Sequence, residues 1–149
     1  MADLGAAWIL NILTSIVAIG SIGTLFYTLV SNRRQLKLHN FTEYTKRYQE
    51  IILHFPENIN ERKYRLSGLS KEARNQTLRY MRAYFDLCSE EYSLHQRRYI
   101  DSDFWSLWKS GMTVAFSKAA FKQSWSIIKK DTVFDSDFVG FVKDHMPTR

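Results

Sequence analysis

The sequence predicts an all-α protein: a single N-terminal transmembrane helix that continues into a cytoplasmic bundle of four or five helices. Three observations predict it. Twenty-nine consecutive residues, Leu4 to Asn32, carry no charged side chain. Beyond them, apolar residues recur at spacings of three and four, the period of a helix with one buried face. No stretch of strand-like alternation competes. The expected division is residues 1–32, a short external tail and the membrane helix, and residues 33–149, a cytoplasmic helical domain.

Composition fits one folded unit. The chain has 149 residues, 45% hydrophobic and 24% charged, with six glycines and two prolines, which excludes disordered and collagen-like classes. The one cysteine excludes a small secreted domain stapled by internal disulfides.

The apolar run from Ala6 to Val30 spans 25 residues. At about 1.5 Å per residue it gives a helix longer than the ~30 Å hydrocarbon core. A cleaved signal peptide fits worse, because Asp3 and no Lys or Arg precedes the run, the run exceeds a signal h-region, and no A-x-A pattern follows. Arg33, Arg34 and Lys37 flank the far end, so the positive-inside rule places the C-terminal part in the cytoplasm. Trp8 and Tyr27 suit the two interfaces.

Within the span, Ala7, Asn11, Thr14, Ala18, Ser21, Leu25, Thr28 and Asn32 fall on one stripe, and all but Leu25 are small or polar. Ile9, Ile12, Ile16, Ile19, Gly23, Tyr27 and Val30 occupy the other side, which suits acyl chains. Small residues let helices approach and amides and hydroxyls bond across the contact, so Asn11, Thr14, Ala18, Ser21, Thr28 and Asn32 form an association seam or the wall of a lumen. Two alternatives stay open: docking on another membrane protein, and a lone anchor whose hydroxyls bond to their own backbone.

No glycine, serine or proline hinge follows the span, so the helix is expected to run on through Leu38, Phe41, Tyr44, Tyr48, Ile51 or Ile52 and Phe55, until Pro56 stops it. A polar connector covers Pro56 to Arg65. The longest soluble helix comes next, with Ser70 as N-cap and Leu78, Met81, Phe85, Cys88, Tyr92, His95 and Tyr99 at heptad spacing. Asp101-Ser102-Asp103-Phe104 starts another helix, carrying Trp105, Leu107, Trp108 and Met112. Ser117 begins a further one with Phe121, Trp125 and Ile128. Asp135-Ser136-Asp137-Phe138 repeats the earlier start and leads into Phe141 and Val142. Both D-S-D-F segments read as N-caps, since acidic residues offset the positive end of the helix dipole.

Charge is unevenly placed. Residues 33–82 hold twelve Lys/Arg against five Asp/Glu, whereas residues 83–149 hold nine of each. The excess lies nearest the membrane in sequence, where each cation beside anionic headgroups is worth on the order of 1 kcal/mol. Nucleic acid is the other polyanion to weigh. Arg62, Lys63, Arg65, Lys71, Arg74, Arg79 and Arg82, with Tyr64 and Tyr80, form a basic aromatic-bearing segment, but no nucleic-acid fold signature accompanies it.

Catalytic motifs are few. The chain has no P-loop, G-x-G-x-x-G, H-E-x-x-H or paired C-x-x-C, so no cofactor or metal is expected and the protein is read as a non-enzyme. Cys88, Glu91 and His95 share a helical face, but no E-x-x-H from another helix joins them. Cys88 reads as a small buried residue and His95 as a heptad position. Arg34 with His39, and Arg47 with His54, match the arginine–histidine spacing of HEPN-type RNases, a pattern that eleven arginines and four histidines produce readily by chance.

The segment YFDLCSEEYSLHQRRYIDSDFWSLWKSGM, followed by FKQSWSIIKKD and DFVGFV, resembles a group of small bacterial proteins with one N-terminal membrane helix, an RRQ-type basic junction and a cytoplasmic helical domain. At the level of architecture the arrangement also resembles the pore-forming membrane accessory protein of type VI-B CRISPR systems. These resemblances imply an oligomeric inner-membrane protein acting as a pore or effector in antiphage defence, and carry over no catalytic residue. The implied partners are an anionic bilayer, further copies of the chain and a protein contacting the cytoplasmic domain. An accessory subunit of a larger membrane complex and a membrane-tethered RNase are the alternatives.

Overall fold

A computed structural model describes residues 2–147, with the side chains of residues 2–7, 9, 10, 12 and 13 left out; Ala7, Ile9 and Ile12 of the two membrane faces thus lie outside the described side chains. Five helices follow in order: α1 (Ala2–Ile52), α2 (Lys71–Gln96), α3 (Ser102–Phe116), α4 (Ala119–Ile128) and α5 (Ser136–His145), with 3-10 turns at Glu57–Asn60 and Leu66–Gly68. Among the described residues there is no strand. The all-α expectation holds, with a long apolar N-terminal helix ahead of a helical bundle.

The chain divides into two compact units, Met1–His39 and Asn40–Arg149. Arg33, Arg34 and Lys37 belong to the first of these units. That unit is helix throughout its described part, and α1 is long and apolar enough to cross a membrane. Among its described residues the large apolar side chains are exposed, from 51% at Val30 to 75% at Tyr27. A core helix of a soluble protein would bury that face.

The second unit is built around α2, 26 residues long and the longest helix after α1. Its Met81, Phe85 and Cys88 are fully buried against Phe116 of α3, Phe121, Trp125 and Ile128 of α4, and Phe138, Phe141 and Val142 of α5. Phe85 is the centre: its ring stacks on Phe116 at 5.7 Å and meets Trp125 at 4.8 Å. The α1 residues of this unit pack from another side, with Phe41 stacked on Phe104 at 4.1 Å.

The caps explain where the helices begin. The Ser70 hydroxyl accepts from the Ala73 N–H at 3.2 Å. The two D-S-D-F segments repeat one geometry, each aspartate accepting from the N–H two residues on, at 2.8 Å for Asp135 and 3.4 Å for Asp101. The shorter bond is the stronger cap.

Three expectations are corrected. Ser117 closes α3 and does not open α4; its hydroxyl donates to the Val114 carbonyl, and Lys118 is the N-cap of α4. Tyr99 leaves the heptad row because α2 ends at Gln96. There the Arg98 N–H reaches the His95 carbonyl and the Tyr99 N–H the Leu94 carbonyl, the paired bonds of a Schellman cap, with Arg98 left-handed at φ 61°. The segment from Pro56 to Arg65 is more than a polar connector. Ile59 and Tyr64, with Leu66 just beyond, are buried in the core, and the Gln123 amide clamps the chain, donating to the Tyr64 carbonyl and accepting from the Leu66 N–H, both at 3.0 Å.

Candidate functional site

The small and polar stripe lies on uninterrupted helix, so its spacing puts Asn11, Thr14, Ala18, Ser21, Thr28 and Asn32 on one face, and all six are exposed. Ser21 donates to the Val17 carbonyl and Thr28 to the Thr24 carbonyl, each at 2.8 Å. Ser15 and Thr24, off the stripe, bond in the same way. These hydroxyl protons are therefore satisfied within the helix, the bonding expected of a lone anchor, while their oxygens can still accept. Arg33 and Arg34 are exposed and Lys37 is half-buried.

The other sequence-selected groups are dispersed or engaged. Arg47 is held by Glu90, and the His54 ring stacks on Tyr80 at 4.3 Å with Nδ1 2.7 Å from the Glu50 carbonyl. Arg34 and His39 are exposed along α1. On the basic segment, Tyr64 is buried and Tyr80 lies against His54, so neither aromatic stands free to stack on a base. Arg82 is paired with Asp131 at 2.8 Å. His95 lies flat on Trp105, 4.4 Å between ring centres, and no group of three acid, cysteine or histidine side chains among the described residues is placed to hold a metal ion.

The second unit contains a site that periodicity did not single out. α2 turns Tyr84, Leu87, Cys88 and Glu91 towards a cavity of about 270 Å³; α1 supplies Phe41, Thr45 and Tyr48, and α3 supplies Leu107, Trp108, Gly111 and Met112. Each helix contributes neighbours on consecutive turns, and a Cβ at Gly111 would meet no atom within 4 Å. Ligand sites commonly take this form, an apolar hollow with few polar groups, and this one lies just under their usual range of roughly 300–1,000 Å³.

Glu91 is the only acid lining it and is 5% exposed. Burial pushes its carboxyl up to about 8; nearby Arg47 opposes the rise and Glu90 adds to it. Among the described residues no hydrogen-bond or ion-pair partner reaches it. The nearby cation is already committed: Arg47 contacts Glu90 at 2.6 Å and 3.4 Å, and the Tyr44 hydroxyl donates to the same carboxylate at 3.2 Å. Those bonds hold Glu90 below the usual carboxylate range. Burial raises Cys88 and Tyr84 well above their ordinary values, so both are neutral at pH 7. The sequence signal was present in part, since Glu91 follows Tyr84, Leu87 and Cys88 on one otherwise apolar face.

Compared with family models, curated proteins and solved structures, the chain finds no match in any of the three. What the structure supports of the expected likeness is its architecture, all-helical with one long apolar N-terminal helix.

Proposed function

We propose that the protein is a non-enzymatic, single-pass protein of the bacterial inner membrane that self-associates through the face of α1 bearing Asn11, Thr14, Ala18, Ser21, Thr28 and Asn32. Its N-terminus is outside and its helical unit, Asn40–Arg149, is cytoplasmic. One observation carries the reading: the charge-free stretch Leu4–Asn32 of α1 exposes its described apolar side chains, yet both its amides, Asn11 and Asn32, share one face with the hydroxyls of Thr14, Ser21 and Thr28, while Ser15, Thr24, Tyr27 and Ser31 lie off it. Asn11 and Asn32 count for most, because an exposed amide in hydrocarbon gains from a partner across a helix contact. Arg33, Arg34 and Lys37 then meet anionic headgroups. The architectural resemblance to the type VI-B CRISPR accessory protein supplies the form that such an assembly takes, a membrane pore serving antiphage defence.

The test is the mass of the full chain in detergent, together with dye release from liposomes carrying it. A closed homo-oligomer is expected, and leucine at Asn11, Thr14 and Ser21 should weaken both assembly and release. An unchanged oligomer in that variant would remove the seam.

The back-bonded hydroxyls of Ser21 and Thr28 favour a second reading, in which α1 is a self-sufficient anchor and the cytoplasmic unit an adaptor on a larger membrane complex. A monomer, or fixed-ratio co-purification with another chain, would support it.

A further inference from the structure

Self-association leaves the cavity of the second unit without a role. Its walls are Phe41, Tyr48, Tyr84 and Trp108 with aliphatic Leu87, Leu107 and Met112, and its one carboxyl is Glu91. An acid in such a wall is costly unless something compensates it, and a structural acid would have been given a partner. Arg47 is on hand but is taken by Glu90. What remains is a carboxyl facing a space bordered by aromatic rings.

That donor set has a chemical complement. An organic cation gains Coulomb attraction from the carboxylate and quadrupole attraction from ring faces, while its hydrocarbon meets aliphatic walls. An anion would find no cation in the wall, since Arg47 is bonded to Glu90, and a neutral molecule would use only part of the site. We propose that this cavity binds a small hydrophobic ammonium ion, with its nitrogen at Glu91 and its hydrocarbon against the rings of Phe41, Tyr48, Tyr84 and Trp108. The inference does not depend on self-association.

Binding an ammonium requires ionised Glu91, so the carboxyl must give its proton to solvent while the ligand keeps its own. The titratable or charged groups around it are Arg47 and Tyr48 from α1 and Tyr84, Cys88 and Glu90 from α2; the α3 wall offers only Leu107, Trp108, Gly111 and Met112. At pH 7 only Glu91 among them changes charge on binding.

The experiment is calorimetric titration of the full chain in a neutral detergent with 2-phenylethylammonium, 2-phenylethanol and 3-phenylpropanoate, in two buffers of different ionisation enthalpy. The ammonium is expected to bind roughly tenfold or more tightly than the alcohol, the carboxylate least, with release of roughly one proton per ammonium bound at pH 7. Glu91→Gln should weaken the ammonium by roughly tenfold and leave the alcohol nearly unchanged. Gly111→Leu, which fills the hollow, should abolish both, with circular dichroism confirming that each variant stays folded. Equal affinity for the alcohol would make the cavity an apolar hole and overturn the proposal, as would ammonium binding that survives either substitution or releases no proton. Failure of all three probes would overturn it too, as would binding only after an oligomer is dissociated, which would identify a neighbouring copy as the occupant.

Discussion

The Arg47 guanidinium meets the Glu90 carboxylate at 2.6 Å and so ties the end of α1 to α2, one residue away from an acid that the same guanidinium leaves unpaired. Adjacent on a helix, Glu90 and Glu91 point to different surroundings. Glu90 reaches the surface, where Arg47 and Tyr44 hold its charge; Glu91 turns into the cavity, where burial disfavours charge. One helical step of about 100° separates a stabilised carboxylate from a neutral acid.

The Glu90 pair is partly exposed, 39% and 47% by side chain, so solvent screening limits its worth. Glu90→Gln is expected to cost about 0.5–1 kcal/mol at neutral pH and low salt, and less in high salt. Because Glu90 titrates lower in the folded state, its contribution is present above the unfolded carboxyl range and disappears as pH falls through the folded value. Chemical denaturation of wild type and variant between pH 3 and 7 checks this: the two curves should converge at the acid end.

Glu91 has the opposite sign. With its carboxyl raised to about 8, the folded state holds a proton that the unfolded chain releases near its ordinary value. The associated stability is complete below that ordinary value, and it declines as pH rises until Glu91 ionises in the fold. Glu91→Gln removes the decline, so between pH 5 and pH 9 the variant should gain on wild type by on the order of 4 kcal/mol. Melting both proteins from pH 5 to 9 is the measurement; parallel pH profiles would show that Glu91 is ionised in the fold.

Much of this fold was legible from local chemistry. Ser70, Asp101 and Asp135 are caps because a short polar side chain before an apolar period has one good use, and α1 follows from an uncharged run without a hinge. The cavity was not legible, because its wall joins residues near 45, 88 and 110 that only packing brings together. Tyr64 and Leu66 were passed over for a related reason. A 3-10 turn leaves no period to read, and Arg62, Lys63 and Arg65 around them suggest solvent. Arg98 shows the reverse limit, a left-handed cap where glycine would have announced it.

That cap yields a prediction. Arg98 holds φ 61° so that Tyr99 can bond back to Leu94 at 2.9 Å. An L-residue with a Cβ meets its own backbone there and glycine does not. Its side chain is exposed, so little packing is lost on truncation. Arg98→Gly should stabilise by about 1 kcal/mol, read as a higher melting temperature, whereas Arg98→Val should destabilise by a similar amount.

Gln123 decides whether the segment before α2 belongs to the core. Its amide makes both its bonds to one stretch of backbone, the Tyr64 carbonyl and the Leu66 N–H, and both are partly buried. Gln123→Leu keeps the volume but leaves those two backbone groups unsatisfied, which should cost about 1–3 kcal/mol. The loss should be local first. Hydrogen exchange at residues 57–68 should accelerate by far more than at Phe85 or Phe116, since the core pairs of α2 with α3 and α4 do not touch the clamp. If exchange rises equally in both regions, the segment and the bundle unfold as one cooperative unit, and the clamp acts on the whole fold instead of on the turns it holds.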